Sequence, residues 1–154
     1  MNLWGDYIPA DALQVRFEAR ARRRAQVLER KDPPDYRVIL DESVIQRVIG
    51  TRAIMADQLQ FVIQLAASAR TEIRVLPMAE GGPLSMLGAF TLFDVAGDEN
   101  AVMYTEGPYE DDIVEDPNIL QRHRDLYERM WDRSLSEVAS MDLVHSRHAQ
   151  LEAD

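Results

Sequence analysis

The stretch from Thr71 to Glu106, TEIRVLPMAEGGPLSMLGAFTLFDVAGDENAVMYTE, decides the fold of this chain. Three runs in it, at 71–77, 89–95 and 101–105, are short, rich in β-branched and aromatic residues, and bounded by Gly, Pro, Asp and Asn. Runs of this kind predict strands. The polar AGDEN between the last two runs suits a hairpin loop. The stretch 78–88, with three Gly and one Pro, is too long for a tight turn and indicates either a functional rim or an exposed connection.

The sequence on both sides of this stretch adds one strand and several helices. Residues 36–40 predict a fourth strand, because VIL in that run is a continuous apolar segment. Apolar residues recur at helical spacing over 51–70 and again in a C-terminal pair at about 117–150. The last ten residues, HSRHAQLEAD, are expected to fray.

These patterns predict an α+β fold, with a small mixed or antiparallel sheet of about four strands packed with helices, plus the C-terminal helical pair. We expect an N-terminal segment at 1–10 and a single domain at 11–154. The segment GPYEDDIVEDPN, which follows the third run, is expected to be a solvated acidic loop.

Composition limits the classes of function. The chain has 154 residues, no cysteine and a net charge of −10. The lack of cysteine excludes disulfides and thiolate catalysis, and the acidic charge argues against a nucleic-acid interface, because phosphate binding needs a basic surface. No apolar run approaches the roughly 20 residues of a membrane-spanning helix, and no signal peptide is evident. We therefore expect a cytoplasmic protein without membrane contact.

The helix predicted from Asp11 has two different sides. Its apolar side contains three residues, Leu13, Phe17 and Leu28. Its other side is basic, and we expect its arginines to be exposed, among them Arg20, Arg23 and Arg24. This basic side is either a solvated surface that pairs with the acidic segment or a docking surface for another protein or a phosphate-bearing ligand.

Carboxylates and a phenol lie where two predicted strands end. Asp41 and Glu42 follow the first strand, while Tyr104 and Glu106 close the last one. If these strands are neighbours, the groups converge beneath the glycine-containing loop. Paired carboxylates in a cleft can divide general-acid and general-base roles. They can equally bind an amine, cap a helix or hold Arg37.

The sequence thus predicts a ligand pocket formed by strand ends and the loop 78–88, since ligands in α/β layers bind beyond strand ends. Its predicted ligand-binding residues are Asp41, Glu42, Met78, Met86, Leu87, Tyr104 and Glu106. If the protein is an enzyme, the catalytic residues are Glu42, Glu106 and Tyr104. We expect no cofactor, because EGGP lacks the spacing of a phosphate loop. We expect no metal, because the acidic segment lacks the glycine of a calcium loop.

Several of these segments, read in order, resemble one known domain. They are LDESVIQRVIG, VLP, the glycine-containing loop, GAFTLFD, AVMYTE and the basic ARARRRAQVLER. Together they are similar to the domain of unknown function that follows the helix-turn-helix in many actinobacterial XRE-type, antitoxin-like transcriptional regulators. The resemblance runs from about Asp11 to about Val144 and implies no agreed ligand or catalytic residues. Family members carry a DNA-binding domain ahead of this region, and the resemblance covers only the part that follows it. We therefore expect a domain without its own DNA-binding part.

Three functions follow from these observations as hypotheses. The first is a stand-alone ligand- or partner-sensing domain that does not bind DNA itself, with a small molecule or another protein as its partner. The second is a cofactor-independent enzyme of specialised-metabolite biosynthesis that uses pocket carboxylates for acid–base chemistry. The third is a protein-interaction module. A homodimer is compatible with all three.

Overall fold

A computed structural model describes residues 10–28, 30–81, 88–94, 101–107 and 110–153. By its internal contacts the chain divides into two compact units, Met1–Tyr36 and Arg37–Asp154. The boundary predicted from the sequence was at residue 10, and the extent of the independently folding domain stays a prediction. Within the described ranges, no helix is long and apolar enough to cross a membrane.

The described residues confirm the predicted α+β class, with six helices and five strands. In chain order the elements are α1 (Ala10–Leu28), β1 (Tyr36–Asp41), α2 (Glu42–Gln46), α3 (Arg52–Ala66), β2 (Thr71–Leu76), α4 (Met78–Gly81), β3 (Phe90–Phe93), β4 (Val102–Glu106), β5 (Asp111–Val114), α5 (Pro117–Arg133) and α6 (Glu137–Ala153). The strands form two separate sheets rather than one. β1 and β2 form a parallel pair, and β3, β4 and β5 form an antiparallel meander in that order.

The first unit contributes α1. Phe17 of this helix is 62% exposed and Val15 is 66% exposed. Phe17, which the sequence assigns to the apolar side of this helix, is therefore exposed and belongs to neither core described below. The side chains of the other two residues of that side, Leu13 and Leu28, lie outside the described part of the chain.

The strand β5 replaces the acidic loop that the sequence predicted. Aspartate disfavours strands, yet β5 is an edge strand whose side chains remain largely exposed, so its carboxylates stay hydrated. Tyr104 lies opposite Ile113, and the Tyr104 hydroxyl donates to Asp111 Oδ2 at 2.6 Å, a diagonal cross-strand contact. Pairing with β4 therefore outweighs the low strand propensity of Asp.

The two faces of the β1–β2 sheet bury different layers of helices, because successive strand residues point to opposite faces. Val75 belongs to a first core, formed with α2, α3 and α6 by Ile45, Met55, Ala56, Leu59, Val75, Val144 and Leu151. Leu76 belongs to a second core with Leu126 and Met130 of α5. The parallel pair is thus covered on both sides.

One hydroxyl joins β2 to the C-terminal helices. Ser140 is fully buried, and its Oγ accepts a hydrogen bond from the Val75 N–H at 2.9 Å while donating to the Ser136 carbonyl at 2.8 Å. The Leu135 N–H donates to the Val75 carbonyl at 2.9 Å. Leu135, between α5 and α6, and Ser140 of α6 therefore satisfy the backbone of Val75 as a neighbouring strand would.

Helix starts follow the sequence closely. Thr51 caps α3 by accepting from the Ile54 N–H at 3.2 Å. Asp116 caps α5 by accepting from the N–H of Asn118 at 2.8 Å, and Pro117 occupies the first turn. These local caps are what the sequence predicts most directly, because donor and acceptor are close along the chain.

The end of the chain does not fray as the sequence predicted. α6 continues to Ala153, and Leu151 is only 4% exposed in the first core. The Arg52 guanidinium donates to the Gln150 carbonyl at 2.6 Å. The Arg147 guanidinium donates to the carbonyl of Gln46 at 2.9 Å. The last two turns are thus held by partners about 100 positions earlier in the chain.

We predict that Ser140→Ala lowers the free energy of unfolding by about 1–3 kcal/mol, because it leaves the buried Val75 N–H without its acceptor. Urea unfolding measured by circular dichroism tests this. Ser146→Ala is the matched control, since Ser146 is an exposed serine of the same helix. Equal midpoints for the two variants would show that the Val75–Ser140 hydrogen bond contributes nothing net.

Candidate functional site

Two strand ends meet at one edge of the parallel sheet. Because β1 and β2 are parallel, their carboxyl ends lie at the same edge. β1 ends at Asp41 and runs directly into α2, and β2 ends at Leu76, just before α4 begins at Met78. We refer to Asp41, Glu42 and Met78 as the carboxyl edge. Three of the predicted ligand-binding residues therefore lie together.

Asp41 holds the start of α2. Its Oδ1 accepts from the Ser43 N–H at 2.9 Å and also from the Ser43 hydroxyl. This is the usual role of an Asp that precedes a helix. One carboxylate oxygen is thereby committed to the backbone, which matches the helix-capping alternative that the sequence left open.

Glu42 joins the end of β1 to the start of the segment 78–88. Its Oε2 accepts from the Met78 N–H at 3.0 Å, and its Oε1 lies 3.5 Å from Gln46 Nε2. The carboxylate is half-buried, whereas Met78 is 56% exposed. A charged acceptor therefore fixes the position at which the polypeptide leaves the sheet.

The remaining residues of the predicted pocket are distributed differently. Met86 and Leu87 lie outside the described residues. Tyr104 and Glu106 belong to β4, which pairs with β3 and β5 and not with β1. Glu106 lies opposite Asp111 in the β4–β5 register. Among the described strands, none brings Glu42 beside Glu106 by direct pairing of β1 with β4, and a cavity shared by these residues stays a prediction.

Sequence reasoning missed Asp111 as the partner of Tyr104. A signal was present in the β-branched pair Ile113 and Val114, but the density of carboxylates around it favoured a loop. As for the predicted partner-binding arginines, Arg20 is exposed on α1, while the side chains of Arg23 and Arg24 lie outside the described part of the chain. Their role in binding a partner stays a prediction.

A second group of residues, also missed from the sequence, lies between the sheet and α5. Its members are Arg37, Glu72, Arg74, Tyr127, Glu128 and Trp131, which we call the arginine–tryptophan cluster. The Arg37 guanidinium carbon lies 4.1 Å from the Trp131 ring centroid, and that of Arg74 lies 4.3 Å from the same centroid. Tyr127 stacks on Trp131 with ring centroids 5.8 Å apart. Two cations therefore share one indole.

Each arginine of the cluster has a carboxylate partner. Arg37 pairs with Glu128 at 2.9 Å, and Arg74 pairs with Glu72 at 2.8 Å. Burial alone would lower the pKa of Arg37, but its hydrogen bond and charge interaction with Glu128 outweigh burial and leave the pKa raised. The four charges balance, so the cluster has the character of a structural clamp rather than of an anion-binding site.

Tyr127 is the exception within the cluster. Its hydroxyl is buried and has no hydrogen-bond partner among the described residues. Burial raises the pKa of Tyr127 to about 12, with Arg37 opposing that shift. The aromatic ring therefore contributes packing, while the hydroxyl contributes no bond that offsets its desolvation.

We predict that Tyr127→Phe leaves the free energy of unfolding unchanged or raises it by up to about 1 kcal/mol, because it removes an unpaired buried polar group. The folded protein should lose stability as the pH rises from about 10 to 12, since the unfolded tyrosine ionises first. Urea unfolding across that range should show a smaller loss for Tyr127→Phe. A drop of more than about 1 kcal/mol at neutral pH would reveal a hydrogen bond to the hydroxyl.

Within the described ranges, no group of three or more His, Cys, Asp or Glu is placed to hold a metal ion.

In comparisons with known proteins, no curated protein and no solved structure matches this chain significantly. The model of one protein family matches residues 1–146. That match covers most of the chain and includes the range over which the sequence resembles a domain of unknown function. The chain belongs to the family described as Domain of unknown function (DUF5753).

Proposed function

We propose that this domain senses a small cationic ligand, a protonated amine with an apolar portion, at the carboxyl edge, and that it does not bind DNA itself. The observation that carries the proposal is the hydrogen bond from the Met78 N–H to the Glu42 carboxylate. It connects a charged acceptor directly to the segment 78–88. A ligand that competes for Glu42 would release Met78 and change how that segment begins.

The charge of the unit supports a cation as the ligand. Residues 37–154 contain 10 basic and 21 acidic residues, a net charge of −11. Such a unit attracts cations and repels anions over distances of the order of a Debye length, about 8 Å at physiological salt. The exposed Met78 side chain offers an adaptable apolar contact next to the carboxylate.

The hydrogen bonds of the carboxyl edge favour binding over catalysis. Asp41 and Glu42 both accept backbone N–H groups, which orients them as fixed acceptors for a bound cation. The resemblance to the regulatory half of XRE-type regulators fits the same proposal, and with it an actinobacterial, cytoplasmic setting. The enzymatic alternative requires turnover of the bound ligand, which the following experiment also measures.

We predict that hexylamine raises the melting temperature and binds with measurable heat, whereas hexanol, which lacks the charge, does neither. Glu42→Gln should weaken hexylamine binding at least about tenfold, because Gln keeps the acceptor for the Met78 N–H and removes the charge. Isothermal titration calorimetry and thermal shift test this. Mass spectrometry of the recovered amine would detect turnover and would then favour the enzyme.

Glu80→Gln is the control, since Glu80 is an exposed carboxylate of the adjacent α4 that lies 4.0 Å from Arg133. It should bind hexylamine as the parent protein does. Equal affinity for the parent and Glu42→Gln proteins, or no binding of hexylamine, spermidine or agmatine at millimolar concentration, would contradict the proposal and favour an interaction module.

We also predict that micromolar protein does not retard duplex DNA in a gel at physiological salt. The acidic unit repels phosphates, and a few arginines on one helix neutralise few of them. A retarded band that weakens as salt increases would show a DNA-binding surface on this chain.

A further inference from the structure

Exposed apolar side chains lie along α2, the segment that joins it to α3, and the first turn of α3. The four side chains lie within eleven residues of sequence and are Val44 (51% exposed), Val48 (39%), Ile49 (61%) and Ile54 (57%). We call this set the aliphatic patch. Four exposed branched side chains so close together are unusual on a surface that contacts only water.

The aliphatic patch is presented by a firmly held segment. Ile45, beside Val44, is 1% exposed in the first core, and Arg147 of α6 donates to the Gln46 carbonyl at 2.9 Å. Gly50 has a φ of +79°, and a Cβ added there would lie 3.4 Å from Ile54 Cδ1, so the turn folds closely onto Ile54. Local folding therefore fixes these side chains outward.

The charge around the aliphatic patch is opposite to that of the unit as a whole. Residues 44–54 contain Arg47 and Arg52 and no carboxylate. The Arg47 side chain is exposed, and it has no ion pair or hydrogen bond among the described residues. A partner for this patch would combine apolar contact with negative charge.

A surface with those properties exists on the same unit, at β5. Ile113 is 68% exposed, and it lies between Asp111 and Asp112 on one side and Glu115 and Asp116 on the other. β5 is an edge strand in the order β3-β4-β5, so, within the described sheet, one of its edges pairs with no strand. The segment 110–116 holds five carboxylates and no basic residue. We call it the acidic edge.

We propose that the aliphatic patch of one copy docks on the acidic edge of a second copy, and that Arg47 pairs with Asp112 there. Contacts between like surfaces are disfavoured, because two patches would oppose Arg47 to Arg47 and two edges would oppose five carboxylates to five. Since every copy carries both surfaces, two such contacts can close a dimer with two-fold symmetry. This inference does not depend on the proposed ligand.

Charge reversal tests the pairing. Analytical ultracentrifugation over a concentration series should give the parent protein an average mass above that of a monomer, decreasing as salt increases. Arg47→Glu and Asp112→Arg should each weaken association at least about tenfold. The double variant should regain most of it, because the charges are then complementary again. Ile49→Ser should weaken association independently of salt.

Arg122→Glu is the control, because Arg122 is an exposed arginine of α5 that belongs to neither surface, and its reversal changes the net charge by the same amount. Circular dichroism should show all variants folded. A monomeric parent protein at the highest concentration, or association that neither single reversal weakens, would overturn the proposal. So would a double variant no stronger than the singles. Hexylamine binding should be unchanged in all variants, so failure here leaves the ligand site untouched.

Discussion

The backbone of Val75 is the constraint on which the unit 37–154 depends. Four of the six residues of β2 are buried, and a two-stranded sheet leaves the polar groups along its outer edges without strand partners. Buried N–H and C=O groups need partners. Val75 finds them in the Ser140 hydroxyl and the Leu135 N–H. Because Leu135 lies between α5 and α6 and Ser140 lies in the first turn of α6, β2 is bonded directly to the C-terminal helical pair.

The two faces of that sheet are stabilised by different physical means. One face packs aliphatic residues of α3 and α6 around Val75, and its strength comes from excluding water. The other combines a small apolar core with the arginine–tryptophan cluster, where Trp131 lies between an apolar interior and two guanidinium groups. Planar guanidinium groups can stack on a ring and still pair with a carboxylate, so this face tolerates charge without leaving it unpaired.

The sequence predicts what is decided locally. Thr51 and Asp116 cap helices as their positions indicate, and the grouping of Asp41, Glu42 and Met78 follows from where two strands end. What it does not predict depends on distant partners. The acidic β5 is a strand because β4 pairs with it. The sequence around Ser140 does not indicate that its hydroxyl accepts a hydrogen bond from Val75.

The same limit applies to the candidate site. The sequence places Tyr104 and Glu106 at a strand end, but it contains no information on which strands are neighbours. β4 lies in its own meander, and Tyr104 hydrogen bonds to Asp111 instead. The arginine–tryptophan cluster forms only when β1, β2 and α5 come together. The positions of Arg37 and Arg74 in their strands therefore do not indicate that both contact Trp131.

The ribosome makes this chain in an order that its first core does not follow. Val75 of β2 is synthesised 65 residues before Ser140, and still longer before Leu151, the last buried residue of that core. Until those helices emerge, the nascent strand lacks its hydrogen-bond partners and the part of its apolar covering that α6 supplies. A growing chain in that state exposes a strand edge to its neighbours on a polysome. The first core of this unit is therefore complete only when α6 has left the exit tunnel.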